Sequence, residues 1–195
     1  KFGGIIKQCY FHLQMNRFLI LVSFSIFFMM DSLSSKTLYD FKKKDRFKGW
    51  SVVDDDVMGG RSSGALVLDE DGHGIFYGYI SLRNNGGFSS IRCDIKKMDI
   101  REYNYLILKI KGDNKKYQFR VKSSYYDRHS YVKEFFAPDA WSEIKIPLES
   151  LRPQFRGMRL NMNKFSGDSI VQFGILVGNK VEEDFMLMID SIYLK

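Results

Sequence analysis

The sequence predicts an all-β fold, an antiparallel β-sandwich occupying residues 36–195. Three observations predict it. Short runs with apolar side chains at alternate positions recur through the chain, polar turns rich in Gly, Asp and Asn bound them, and no stretch after residue 35 shows the repeat of a long amphipathic helix. At 195 residues, 45% hydrophobic and 27% charged, the chain has the length and composition of one ordinary domain with a substantial core.

Two glycine pairs come first along this domain. Trp50-Ser51-Val52-Val53 leads into Asp54-Asp55-Asp56 and then Val57-Met58-Gly59-Gly60-Arg61-Ser62. The second pair lies in Asn84-Asn85-Gly86-Gly87-Phe88-Ser89-Ser90-Ile91-Arg92. Adjacent glycines let a backbone take positive φ or approach another segment closely, so both pairs read as turns feeding strands; Gly60 is expected at positive φ. Between them, Ile75–Leu82 is rich in aromatic and branched residues and reads as a strand. Tyr105–Lys111 is the next, stopped by Gly112-Asp113-Asn114, whose residues tolerate left-handed φ. Tyr117–Lys122 has strict period two, with Tyr117, Phe119 and Val121 on one face, and Tyr131–Phe136 is its expected partner. Glu143–Pro147, Ser169–Val177 and Asp184–Leu194 complete the strands, and Glu149–Leu151 reads as one short helical turn. Eight or more such strands imply two sheets packed face to face, and the period alone does not separate a jelly roll from another sandwich.

The chemistry-bearing residues point away from catalysis. No Gly-x-Ser-x-Gly elbow and no nucleotide-binding Gly-x-Gly-x-x-Gly is present, and His12, His73 and His129 have no motif partner, so His73 and His129 are expected as exposed loop residues. Asp54-Asp55-Asp56 offers oxygens to Ca²⁺, but consecutive residues of an extended strand do not all face one centre. The favoured reading has Asp55 bonding backbone N–H groups to pin the Val57–Gly60 turn. No metal site and no cofactor is expected. Cys93, in an alternating run, reads as a small buried hydrophobe. Arg92 interrupts an apolar strand, so it either faces outward, on the floor of a groove or in solvent, or pairs with Asp55 or Asp190. Trp50 and Trp141 are expected in the core, and Tyr125-Tyr126 with Arg128 and His129 as an exposed aromatic contact surface.

The ordered motifs resemble those of the complex I intermediate-associated protein 30 family. They are Trp50, Asp55, Met58-Gly59-Gly60 and Ser62; Phe76-Tyr77-Gly78; Asn85-Gly86-Gly87-Phe88 with Ser90 and Arg92; Lys111-Gly112-Asp113 with Tyr117; Trp141 with Ile146-Pro147; Pro153 with Phe155-Arg156-Gly157; and Phe185, Leu187, Ile189-Asp190 and Ile192. The likeness spans residues 38–194. It implies a galactose-binding-like sandwich of the jelly-roll type, without enzymatic activity. It also implies transient binding to protein partners, the incompletely built subunits of NADH:ubiquinone oxidoreductase. The candidate binding residues carried by the resemblance are Asp55, Met58, Gly59, Gly60, Ser62, Gly86, Gly87, Phe88, Ser89 and Arg92.

Residues 1–35 read differently. Met15-Asn16-Arg17 precedes the apolar run Phe18–Met30, which has the dimensions of a signal-peptide core and is short for a membrane span. The domain is therefore expected to be exported, or anchored through an uncleaved N-terminal segment. The alternative is a mitochondrial location, where the resembled family acts; transit peptides are Arg-rich and amphipathic, and this run is neither. An exported sandwich has a second expected function, the binding of carbohydrate through loop aromatics. After residue 35 the charge is 27 Lys and Arg against 22 Asp and Glu, a modest and scattered excess. Without a basic stripe or a recognition motif, nucleic acid is not an expected partner.

Overall fold

Alternation along the chain becomes thirteen strands in a computed structural model that describes residues 35–43 and 47–195. In order they are β1 (Lys36–Asp40), β2 (Trp50–Asp54), β3 (Ser63–Leu68), β4 (Gly74–Ile80), β5 (Ser89–Asp99), β6 (Tyr105–Lys111), β7 (Lys115–Lys122), β8 (Ser130–Ala137), β9 (Ser142–Pro147), β10 (Arg152–Phe155), β11 (Met158–Arg159), β12 (Ser169–Val177) and β13 (Glu183–Leu194). Single 3-10 turns stand at Asp55–Met58, Arg83–Asn85 and Leu148–Ser150. The apolar run Phe18–Met30 lies outside the described residues. Among those described, no helix is long and apolar enough to cross a membrane.

All strand pairings are antiparallel. One sheet runs β3-β4-β13-β6-β9, with β1 also paired to β13; the other runs β11-β10-β8-β7-β12-β5-β2. This is the jelly-roll, galactose-binding-like sandwich expected from the resemblance. Phe76, Leu108, Ile110, Leu187 and Ile189 from the first sheet share one core with Ile91, Phe119, Phe173, Ile175 and Val177 from the second. Cys93 joins that core, and burial pushes its thiol pKa up to about 12, so it behaves as the small hydrophobe its position predicts.

Two devices hold the sheets in register. Along β13, Phe185, Leu187 and Ile189 alternate inward, but the next buried apolar residue is Ile192. A β-bulge between Ile189 and Ser191 absorbs the extra residue and turns Asp190 toward Lys109 at 3.3 Å and Lys42 at 2.7 Å. Just past the C-terminal end of β6, Asp113 binds two elements at once. It accepts from the Tyr117 hydroxyl of β7 at 3.0 Å and from the Met186 N–H of β13 at 2.9 Å. Because β7 and β13 belong to different sheets, this carboxylate closes one edge of the sandwich.

Phe173 sits at the centre of the second sheet, 1% exposed, with its ring 5.5 Å from Trp50 and 6.3 Å from Phe119. Phe173→Ala is expected to destabilise the domain by about 3–5 kcal/mol through lost burial and an unfilled cavity. Urea unfolding followed by Trp fluorescence should show the midpoint fall with an unchanged slope.

Candidate binding site: a buried carboxylate and the groove beside it

Asp55 opens the 3-10 turn after β2 and is completely buried. Its Oδ1 accepts the Ser62 N–H at 2.9 Å. Its Oδ2 accepts the Ser62 hydroxyl at 2.5 Å, the Gly87 N–H at 2.6 Å and the Phe88 N–H at 3.2 Å. Burial alone would raise the carboxyl pKa. The hydroxyl of Ser62 and the N–H groups of Gly87, Ser62 and Phe88 outweigh it and hold the group below the ordinary carboxylate range. One carboxylate therefore joins the loops of both glycine pairs, reaching 32 residues along the sequence from Asp55 to Gly87. The turn-pinning role expected of Asp55 is what this geometry performs, and it extends to the second loop as well.

The glycines serve this carboxylate. Gly59 takes positive φ (85°), Gly60 does not, and a Cβ on Gly60 would lie 2.2 Å from the Oδ1 of Asp55. The expectation of positive φ at Gly60 is thus corrected: its neighbour bends the chain, and Gly60 is small because Asp55 lies against it. A Cβ on Gly86 would meet the other oxygen at 2.6 Å, while Gly87 has φ 130°. Asn84 and Asn85, also at positive φ, complete the second turn, and the Asn84 side-chain amide donates to the Gly59 carbonyl at 3.0 Å. Next to this tie, Asp54 accepts the Ser89 hydroxyl at 2.5 Å and the Gly64 N–H at 3.0 Å. Ser62 and Ser89 are buried structural hydroxyls.

The tied loops form one end of a groove of about 500 Å³ across the outer face of the seven-stranded sheet. Four of the ten candidate residues line it: Met58, Gly87, Phe88 and Arg92. Asp55, Gly59, Gly60, Ser62, Gly86 and Ser89 stand behind it and do not line it. Arg92 faces outward from β5. It pairs with neither Asp55, which the loops occupy, nor Asp190, which belongs to the other sheet, so the expected partners are corrected and the outward-facing alternative holds. Across the sheet Gly174 of β12 stands opposite both Arg92 and Arg120 of β7. A Cβ there would meet the Ile91 carbonyl oxygen at 2.3 Å. Burial lowers the pKa of both guanidinium groups, and the charge of Arg92 adds to this at Arg120, which falls to about 10. Both remain cationic at neutral pH.

Other expectations change. His73 is not a solvent-facing loop residue: its Nδ1 is 2.8 Å from Asp69, its Nε2 3.5 Å from Asp190, and its ring lies 4.6 Å from that of Trp141. Trp141 is correspondingly 41% exposed and covers His73 instead of entering the core, whereas Trp50 packs on Tyr39, Phe41 and Phe173. Asp69, Asp71 and His73 bring one ligand atom each within 4.8 Å of one another, although His73 already uses Asp69 as its hydrogen-bond partner. His129 is half-buried against Tyr131, and Arg128 lies over Phe155 at 5.4 Å. Of the expected aromatic surface, Tyr126 is fully in solvent, while the Tyr125 hydroxyl donates to the Ile95 carbonyl.

Asp55→Asn should cost about 3 kcal/mol or more at pH 7, because an amide presents N–H groups to donors that now face a carboxylate. The folded pKa is depressed, so the contribution is complete above the unfolded value of about 3.9 and is lost as pH falls through the folded value. Thermal melts from pH 2 to 7 should show a flatter acid limb in the variant. Gly59→Ala, in open space at positive φ, should cost about 1–2 kcal/mol. Gly60→Ala should cost more by displacing Asp55; a smaller loss in Gly60→Ala than in Gly59→Ala would refute this assignment.

Among solved structures, the family 11 carbohydrate-binding module of the cellulase Lic26A-Cel5E of Clostridium thermocellum is similar, with a TM-score of 0.60 at 18% identity over 83% of this chain and 94% of the module. The agarase AgWH50C is similar with a TM-score of 0.57 at 9% identity, over 83% of this chain and 24% of the enzyme. Likeness at these identities concerns the fold alone. In sequence, complex I intermediate-associated protein 30, mitochondrial, of Drosophila melanogaster is 27% identical over 81% of this chain and 62% of its own length. The mouse protein of that name is 22% identical over 81% and 55%. The probable counterpart of Caenorhabditis elegans is 25% identical over 79% and 52%. The chain thus spans between half and two-thirds of these relatives. All of them bear a mitochondrial designation, which overturns the expectation of export drawn from Phe18–Met30. The family's own pattern matches residues 39–189, from β1 to the bulge of β13, and the chain belongs to the complex I intermediate-associated protein 30 family, whose members are assembly proteins and not enzymes.

Proposed function

We propose that the domain binds incompletely assembled subunits of NADH:ubiquinone oxidoreductase in mitochondria, holds them during assembly and releases them. The family match through nearly the whole sandwich is the observation that carries this reading. The candidate residues divide by role. Met58, Gly87, Phe88 and Arg92 meet the partner, and Asp55, Gly59, Gly60, Ser62, Gly86 and Ser89 keep the two loops preorganised for it. A rigid, hydrogen-bonded loop pair suits a transient binder, because little conformational entropy is lost at each encounter.

Carbohydrate is the less favoured ligand. A similar family 11 module has been solved with a β-1,3-1,4-mixed-linked tetrasaccharide, but at 18% identity. Among the described residues no Trp or Tyr lines the groove, and those are the side chains that combine a broad apolar face with a polar edge.

The test is capture from intact mitochondria with a C-terminally tagged full chain, by crosslinking and mass spectrometry. Subunits of NADH:ubiquinone oxidoreductase should be enriched, and depletion of the protein should lower the assembled complex. Capture free of those subunits, with normal levels of the complex after depletion, would remove the assembly role.

A further inference from the structure

We propose that the groove on the seven-stranded sheet docks an extended acidic segment of a partner protein, whose carboxylates are held by Arg92 and Arg120. This rests on the protein-binding reading above and specifies the chemistry of the partner.

Among the described residues the groove is lined by six basic side chains, Arg92, Arg120, Lys122, Arg128, Arg156 and Lys180, and by no Asp or Glu. Two of them have no carboxylate in direct contact, although the charge of Asp94 reaches Arg92 from two residues along β5. Neither Arg92 nor Arg120 lies within ion-pair distance of a carboxylate among the described residues, and the hydrogen bond of Arg120 goes to the neutral Gln118 at 3.2 Å. Asp94, the acid nearest Arg92 along its strand, accepts from Gln172 at 2.7 Å. Lys122, by contrast, already donates to the Asp127 carbonyl, and Arg128 and Arg156 both lie over the ring of Phe155. The unmet demand therefore concentrates on the Arg92–Gly174–Arg120 row. Planar guanidinium forks there suit carboxylates, which they bind with two parallel hydrogen bonds.

Shape selects the class of partner. A recess of this size, flanked by the tied glycine loops at one end and the Phe155–Gly157 corner at another, accepts a single extended chain. It does not match a flat bilayer or a duplex. Met58, Phe88, Phe155 and Leu176 add apolar contacts along it, so a strand-like segment with acidic and apolar side chains in alternation would use both kinds of lining.

The experiment uses the full chain and a fluorescein-labelled octapeptide of alternating Glu and Leu, read by fluorescence anisotropy at 0.05 and 0.15 M salt. The wild type should bind the peptide, more weakly at the higher salt. Arg92→Gln/Arg120→Gln should bind it at least about tenfold more weakly, as should the wild type with a Gln-Leu octapeptide. A charge-matched control, Lys116→Gln/Lys133→Gln, alters exposed lysines that do not line the groove and should bind like the wild type. Melting temperatures should not fall in the arginine variant, since both guanidinium groups are half-buried and neither makes an ion pair among the described residues. Equal losses in the two double variants would reduce the effect to net charge and overturn the proposal. So would tighter binding of oligogalacturonate or of phosphatidylserine vesicles through the same arginines. Arg92→Gln/Arg120→Gln protein that still captures respiratory subunits from mitochondria would overturn the groove as their docking surface and leave the assembly role standing.

Discussion

The hydrogen bonds converging on the Asp55 carboxylate are the constraint on which the rest of the site depends. A charged group removed from water is costly unless its lone pairs are met, and here a hydroxyl and three backbone N–H groups meet them. These donors come from the segments that enter β3 and β5, strands of opposite sheets. The bond set is therefore more than a loop ornament. It fixes where two strands begin, and by doing so it fixes the register in which the sheets can close over their shared core. Small residues at positions 60 and 86 follow from the same requirement, because any Cβ there would occupy the space of the carboxylate oxygens. The bends themselves fall on Gly59, Gly87, Asn84 and Asn85.

A similar division of labour holds at β13, the strand that pairs with three others in its sheet. Its bulge resolves a conflict between two demands. The inward row Phe185, Leu187, Ile189 must continue into the core, and a carboxylate must reach Lys42, Lys109 and His73 on the outside. One extra residue satisfies both, since the inward row resumes at Ile192 and Leu194 after the phase changes. Asp190 is thereby partnered by three cationic or proton-bearing side chains. That is the reverse of the situation at Arg92, which makes no ion pair among the described residues and feels Asp94 only at longer range.

Much of the fold was legible because it rests on short-range pattern. Tyr105–Lys111 and Ser169–Val177 form strands with the limits their alternation dictates, and Gly112-Asp113-Asn114 turns where its residues permit. The pinning role of Asp55 was legible too, as a carboxylate ahead of a glycine turn. Its reach to Gly87 was not, since nothing local marks which backbone amides a side chain will meet across the fold. His73 and Trp141 misled in opposite directions: the histidine's polar surroundings suggested solvent and the tryptophan's size suggested the core, and only tertiary contact shelters the one beneath the other. Asp190 left a trace in the spacing of Ile189 and Ile192, which period two does not allow without a bulge. Arg120 left none. In the strand Tyr117–Lys122 it reads as an ordinary solvent-facing residue, and its character arises from β5, two strands away through β12.

That placement also explains why an unremarkable net charge misdescribes this surface. Lysines and arginines scattered through the sequence are gathered by sheet order onto one face, while Asp54, Asp55, Asp113 and Asp190 are engaged in ties elsewhere in the fold. Strands separated by one neighbour lie about 10 Å apart, and two unit charges at that distance repel by about 0.4 kcal/mol in water and about 1.7 kcal/mol at the effective dielectric of a half-buried site. The sheet could relieve this by carrying a carboxylate at position 174 between the two arginines. It carries glycine there, against which the Ile91 carbonyl lies too close for any side chain. The backbone geometry of the β5–β12 pair thus excludes a counter-ion midway between the two arginines, and among the described residues of the sheet Arg92 has only the charge of Asp94, two residues along β5, while Arg120 has only the neutral Gln118.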